Sequence, residues 1–227
     1  MSKPAPAPSM GSKKRQILVV DDHPIVRQGL SMLIEHEPDI EICGTAEDVA
    51  GAMELVKATR PDLVVVDISL KASHGLDLIA QIKKFDKRIK VLVWSMFDEA
   101  LFAERAMRAG AAGYINKQEA IEKVVEAIRR VLNGEIHLSP RMNSHLLGHI
   151  DPTTHKMKDD PVATLSNREL QVLEMIGGGM TTQQMAERLK LSPKTVEGYR
   201  ENIKKKLGLK NTAELSRRAF QWVLEQQ

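Results

Sequence analysis

Four short runs of the chain each end in a residue that can do chemistry. QILVV (16–20) leads into Asp21 and Asp22, LVVV (63–66) into Asp67, VLVW (91–94) into Ser95, and GYIN (113–116) into Lys117. Open α/β sheets place their ligand sites beyond the carboxyl ends of their strands. If these runs are parallel strands, three carboxylates, a hydroxyl and an ammonium converge on one edge. Clustered carboxylates raise one another's pKa unless a cation is present. An oxygen-only ligand set selects a hard ion, Mg2+ before Ca2+. A metal, a lysine and a hydroxyl around one carboxylate are the parts phosphoryl transfer needs. The cations offset charge on the equatorial oxygens and the hydroxyl donates a hydrogen bond. Any one of these Asp residues could be a turn former or helix cap. Five polar residues at matching ends of successive runs argue for a site.

The elements that must hold these residues alternate strictly over the first 134 positions. Apolar runs at 16–20, 39–44, 62–67, 90–94 and 113–116 read as strands. Helical spacing appears between and after them, at 24–36, 48–60, 75–85, 99–110 and 120–134. Arg60-Pro61 ends the second helix and Gly110 caps the fourth. Continuous apolar strands alternating with amphipathic helices predict a doubly wound, five-stranded parallel sheet, an α/β flavodoxin-like architecture. No G-x-G-x-x-G follows the first strand, so dinucleotide binding has no support. Residues 135–162 carry prolines and turn formers and read as a linker, with a short helix expected around 140–148.

From 163 to the end the pattern is a small all-α, four-helix unit. Ser166 and Glu169 form a capping box with a Leu165–Leu170 hydrophobic staple. Thr181 and Gln184 form a second box, Ser192-Pro193 opens a third helix, and Asn211 with Glu214 caps a fourth. Two short helices joined by LKLS make a helix-turn-helix candidate. In the third helix Val196, Tyr199, Ile203 and Leu207 form the buried stripe. The opposite face carries Lys194, Gly198, Glu201 and Lys205, flanked by Glu197, Arg200 and Lys204. A basic rim of this kind suits phosphates. The two glutamates suit it only if they accept from cytosine amino groups or orient neighbouring Arg and Lys.

Composition sets bounds on the rest. With 227 residues, 42% apolar and 28% charged, the chain is globular and holds one large or two ordinary domains. Residues 15–135 carry 16 Lys/Arg against 20 Asp/Glu, while residues 161–227 carry 11 against 7, so an acidic half precedes a basic one. The basic half is the one that could face nucleic acid. Residues 1–14 read as a disordered tail without the apolar segment of a secretory signal, and no apolar run is long enough for a membrane. The single cysteine, Cys43, excludes an internal disulfide and reads as a structural thiol in a cytoplasmic protein. His145, His149 and His155 read as incidental linker histidines, and His23 as a helix-start residue.

LVVDDHPIVRQGL, VVVDISL, VLVWSMFDE and AAGYINK resemble, strand by strand, the receiver domain of two-component response regulators. The stretch from LSNRELQVLEMI to LGLKNTAEL is similar to the LuxR-type helix-turn-helix, and the two together resemble a NarL/FixJ-type regulator over residues 15–225. The resemblance implies a receiver at 15–134 and a DNA-binding domain at 163–227. It implies Asp67 as phosphoacceptor from a sensor histidine kinase. Mg2+ would be held by Asp21, Asp22, Asp67 and the backbone carbonyl of Ser69. Ser95 and Lys117 would bind the phosphoryl oxygens, and Tyr114 would be an aromatic switch. Ser69 and Phe97 would border the attacking water and tune the lifetime of the phosphorylated form. Double-stranded DNA would be contacted by Thr181, Thr182, Lys194, Thr195, Glu197, Gly198, Arg200, Glu201, Lys204 and Lys205. Leu215, Ala219 and Trp222 would form a homodimer contact.

This sequence departs from the family pattern at Lys71, where a proline is usual, and at Glu197, where a basic residue is more common. The first departure implies a differently shaped loop after Asp67. The second leaves open a receiver with a protein-binding rather than DNA-binding output. A catalytic alternative, a phosphatase of the haloacid dehalogenase type, needs a second Asp two residues after Asp67, where Ser69 stands. The chain is therefore read as a regulator and not an enzyme.

Overall fold

The strands of the first unit are apolar on both faces, and the fold covers both. The computed structural model describes residues 14–70, 73–97, 99–140, 142 and 161–226. In chain order the first unit contains β1 (Arg15–Val20), α1 (Pro24–Glu35), β2 (Ile40–Ala46), α2 (Val49–Thr59), β3 (Leu63–Val66), β4 (Ser69–Leu70), β5 (Ser73–His74), α3 (Gly75–Phe85), β6 (Lys90–Ser95), α4 (Glu99–Ala109), β7 (Gly113–Asn116) and α5 (Glu122–Leu132). Five strands form a parallel sheet in the order β2-β1-β3-β6-β7. Successive residues of one strand enter different cores. Ile17, Val19, Leu63 and Val65 pack with Leu30, Ile34 and Ile128 on the α1/α5 side. Leu18, Val20, Val64 and Val66 pack with Val56, Ile79 and Phe102 on the α2/α3/α4 side. That period of two, buried both ways, is why the runs carry no polar alternation.

The expected α/β class and five-stranded sheet are both present. The loop after β3 was not legible. It holds a two-residue antiparallel ladder, with Ser69 opposite His74 and Leu70 opposite Ser73. Gly75 N donates to Ile68 O at 2.8 Å, folding the start of α3 back onto the strand end. A Cβ on Gly75 would lie 2.1 Å from the Asp67 carbonyl oxygen, so this approach requires glycine.

The second unit opens with a 3-10 turn at Pro161–Thr164, then α6 (Asn167–Gly177), α7 (Thr182–Leu189), α8 (Pro193–Leu207) and α9 (Thr212–Gln226). Both capping boxes form, at Ser166/Glu169 and Thr181/Gln184. Ser192 caps α8 with Pro193 at its first position, and Gly208 ends it in the left-handed region. Val196 and Ile203 are buried as the stripe requires, with Tyr199 and Leu207 half-buried beside them.

One expectation is corrected here. Leu215, Ala219 and Trp222 are buried in the core of their own unit, at 0%, 0% and 4% exposure. They seat α9 against α6, where Gly177 leaves no room beside the Ala219 carbonyl. Buried there, they leave little surface for a second copy. The large apolar residues that α9 leaves exposed are Phe220 and Leu224. Of the expected helix at 140–148, Pro140 and Met142 are described and helical, and the rest lies outside the described residues, as do residues 1–13 of the expected tail, Lys71, and His145, His149 and His155.

Candidate phosphorylation site and nucleic-acid interface

β1 and β3 are neighbours, so their carboxyl ends bring Asp21, Asp22 and Asp67 together, all three buried. β7 ends beside β6, and Lys117 N donates to Ser95 O at 2.8 Å, which turns the lysine toward the same edge. Lys117 Nζ donates to Asp67 Oδ2 at 2.9 Å and to Asp21 Oδ2. Burial pushes the Asp67 carboxyl above its ordinary range, although the Lys117 charge pulls it down. Burial works against the Lys117 charge in turn, but the Asp67 and Asp21 carboxylates outweigh it and raise the lysine's pKa.

One buried oxygen of this cluster, Asp67 Oδ1, has no hydrogen-bond partner, while Asp22 Oδ1 lies 2.8 Å from His23 Nδ1. Ligand atoms from Asp21, Asp22, His23 and Asp67 all lie within 4.8 Å of one another. An orphaned carboxylate oxygen in a buried acidic cluster fits a hard divalent cation. Three carboxylates against one lysine of the same unit leave net negative charge, which points the same way.

Ser95 is fully buried, and its Oγ accepts from Phe97 N at 3.4 Å. Asp67, Ser69, Ser95, Phe97 and Lys117 line one cavity of about 710 Å3, together with Arg188 and Lys190 of the second unit. Tyr114 faces inward at 1% exposure, and its hydroxyl donates to Phe97 O at 2.8 Å. It thus reaches the backbone two residues past Ser95 and not the cavity itself. His23 stands at the N-cap of α1, with Nδ1 2.8 Å from Asp22 Oδ1. Cys43 is half-buried beside Thr59, and burial raises its thiol pKa, as for an inert structural thiol.

On the second unit, Lys194, Thr195, Gly198, Glu201 and Lys205 lie exposed along α8. The two unexpected glutamates are paired. Glu197 Oε2 is 3.6 Å from Arg200 Nε, and Glu201 Oε1 is 2.8 Å from Lys204 Nζ. Thr182 joins α7 to this face, donating to Glu197 Oε1 at 2.6 Å and accepting from Arg200 Nη1 at 3.3 Å. Thr181 is spent on its cap, where its side chain accepts from Gln184 N. Nothing lies within 4 Å of a Cβ placed on Gly198, so the middle of the outer face is open.

A third group of residues, between the units, has no signature in the sequence. Lys190 Nζ reaches Asp22 Oδ2 at 2.5 Å across 168 positions of chain. Arg168 Nη2 donates to Leu70 O at 2.9 Å, and Arg105 Nη1 donates to Leu165 O at 2.9 Å. His74 is buried beside them. Its Nδ1 accepts from Leu76 N at 3.2 Å, which leaves the proton on Nε2, a buried atom without an acceptor. Burial, then the charges of Arg168 and Arg105, lower the His74 pKa to about 3.

Residues 17–129 match the response regulator receiver domain, and residues 163–219 match the bacterial regulatory proteins of the luxR family. The chain is 35% identical over 202 residues to the response regulator GacA of Pseudomonas aeruginosa, covering 88% of this chain and 93% of that protein. It is a LuxR-family response regulator. Among solved structures, a LuxR-family two-component response regulator from Aurantimonas is 34% identical, with a TM-score of 0.56, covering 60% of this chain and 98% of that one. RcsB of Salmonella enterica, solved on promoter DNA, shares the fold at 22% identity and a TM-score of 0.57, covering 90% of this chain and 98% of that one. As a response regulator, the chain is a phosphorylation-regulated, DNA-binding transcription regulator with a sensor kinase as its partner, and its output is not catalysis. None of its described helices is long and apolar enough to cross a membrane.

Proposed function

We propose that Asp67 is the phosphoacceptor of this regulator and that Asp21, Asp22, Asp67 and the backbone carbonyl of Ser69 hold Mg2+. The observation that carries this reading is the buried Asp67 carboxylate, with Lys117 Nζ 2.9 Å from Oδ2 while Oδ1 has no partner. The donor is a phosphohistidine of the sensor histidine kinase. An Asp67 oxygen forms the new O–P bond as the N–P bond breaks, and the imidazole nitrogen keeps the electron pair and takes up a proton. The metal, when bound, offsets charge on the transferring group. Lys117 holds a phosphoryl oxygen, and the Ser95 hydroxyl, which accepts from Phe97 N, donates its own proton to another. Tyr114 then reports the change, because its hydroxyl is tied to the Phe97 carbonyl. Ser69 and Phe97 border the attacking water and tune the lifetime of the acyl phosphate.

The output is binding of double-stranded DNA in the cytoplasm. Lys194, Thr195, Gly198, Glu201 and Lys205 offer the approach face, with Arg200 and Lys204 held by Glu197 and Glu201. Thr181 and Thr182 place the preceding helix against the backbone. A homodimer reads paired half-sites, and Phe220 and Leu224 are the α9 residues free to join two copies. The assignment is tested by treating wild type and Asp67→Asn with a phosphoramidate donor and Mg2+, then weighing the intact proteins. Wild type gains one phosphoryl group and the variant none. Equal gain in both rules out Asp67. Genome-wide mapping of bound DNA with the two proteins, set against Lys204→Glu, tests the output.

A further inference from the structure

Three carboxylates meet at the strand ends, and two ammoniums serve them. Lys117, from the receiver itself, holds Asp21 and Asp67. The third carboxylate, Asp22, is held by Lys190 at 2.5 Å, and Lys190 belongs to the DNA-binding unit. Two ammoniums carry the same total charge as one divalent cation. The docked arrangement therefore offsets two of the cluster's three negative charges without a metal. Lys190 is the C-cap of α7, in the left-handed conformation in which helices commonly end, at φ 54°.

The contact does not stand alone. The Arg188 guanidinium lies 6.0 Å over the Phe97 ring. Arg168 holds the carbonyl of Leu70, three residues past Asp67. The second unit thus closes over the phosphorylation site while the outer face of α8 stays exposed.

We infer that Lys190 and Mg2+ compete for Asp22, so that docking of the DNA-binding unit and loading of the phosphorylation site oppose each other. This rests on the metal reading proposed above. A cation on Asp22 must displace Lys190 or share the carboxylate with a like charge, and either raises the cost of the docked state. Linkage makes the effect reciprocal: whatever docking takes from metal affinity, the metal takes from docking. Lys190 acts as a brake on loading of the phosphorylation site, supplied by the output domain. An unphosphorylated regulator in the docked state is slow to load. Once loaded and modified, it has lost the contact that held the output domain down.

The test uses full-length wild type, Lys190→Met and Lys190→Arg, all three keeping a long side chain at the same backbone position. Mg2+ is titrated while Trp94 fluorescence is followed, since its ring lies 5.7 Å from Lys117 Nζ and lines the cavity. Small-angle scattering records the separation of the two units at each end of the titration. Lys190→Met should bind Mg2+ about fivefold or more tightly than wild type, the lower end of typical coupling. Lys190→Arg should stay near wild type, and saturating Mg2+ should expand wild type. Equal affinity in all three proteins overturns the inference, as does tightening by Arg as large as by Met, or scattering unchanged by Mg2+. A response to Mg2+ in none of the three overturns the metal reading itself, and the competition with it.

Discussion

At the residue scale, the acidic cluster is held together against its own charge. Asp67 is 3% exposed, and burial raises its carboxyl pKa despite Lys117. A carboxyl whose pKa is raised by folding binds its proton more tightly in the folded state. Its ionised form therefore subtracts from stability once the pH is above the unfolded value, near 4. Asp67→Asn removes that deficit and leaves Lys117 with Asp21. Without Mg2+ the variant should melt above wild type at neutral pH. The gain should shrink as the pH falls toward 4. Added Mg2+ should raise the wild-type midpoint more than the variant's. Calorimetry in chelator and in Mg2+ checks both, and an Asn variant that melts lower than wild type in chelator would show that Lys117 outweighs burial.

At the scale of elements, the site depends on how closely α3 returns to the end of β3. A Cβ on Gly75 would sit 2.1 Å from Asp67 O and 2.9 Å from Ile68 Cα, both backbone atoms that cannot rotate away. Gly75→Ala should destabilise the chain by about 1–3 kcal/mol, the usual cost of overpacking. It should slow phosphorylation further by displacing the Asp67 backbone. Chemical denaturation with a phosphorylation time course measures the two, and a fully stable, fully active Ala variant would mean the loop is softer than it looks. This loop also marks the limit of what the sequence shows. Asp21, Asp22, Asp67, Ser95 and Lys117 were legible because each ends an apolar run, and strand order then does the rest. The β4–β5 ladder was not, since two-residue strands leave no period to count. Leu215, Ala219 and Trp222 were misplaced for a related reason: an apolar stripe at helical spacing looks the same whether it meets its own core or a second copy. Lys190 lay furthest out of reach, because its partner is 168 residues away on another domain.

At the scale of the whole molecule, the two units meet over a histidine that the docked state keeps neutral. His74 lies under Arg168 of α6 and Arg105 of α4, and burial with those two charges lowers its pKa to about 3. When the chain unfolds, His74 returns to about 6.5. Below that pH the unfolded chain takes up a proton that the folded, docked chain refuses. The stability tied to neutral His74 is therefore fully present above pH 6.5 and is lost progressively as the pH falls toward 3. The loss is on the order of 2 kcal/mol at most between pH 6.5 and 5, since each unit of pH is worth about 1.4 kcal/mol for one proton. His74→Asn can still accept from Leu76 N as the α3 N-cap, but it has no proton to refuse. Its melting temperature should therefore fall less steeply than that of wild type between pH 7 and 5. The two profiles should separate only below pH 6.5, with carboxylates elsewhere contributing equally to both. Parallel profiles across that range would place the His74 ring in water, and the two units apart, in the unphosphorylated protein.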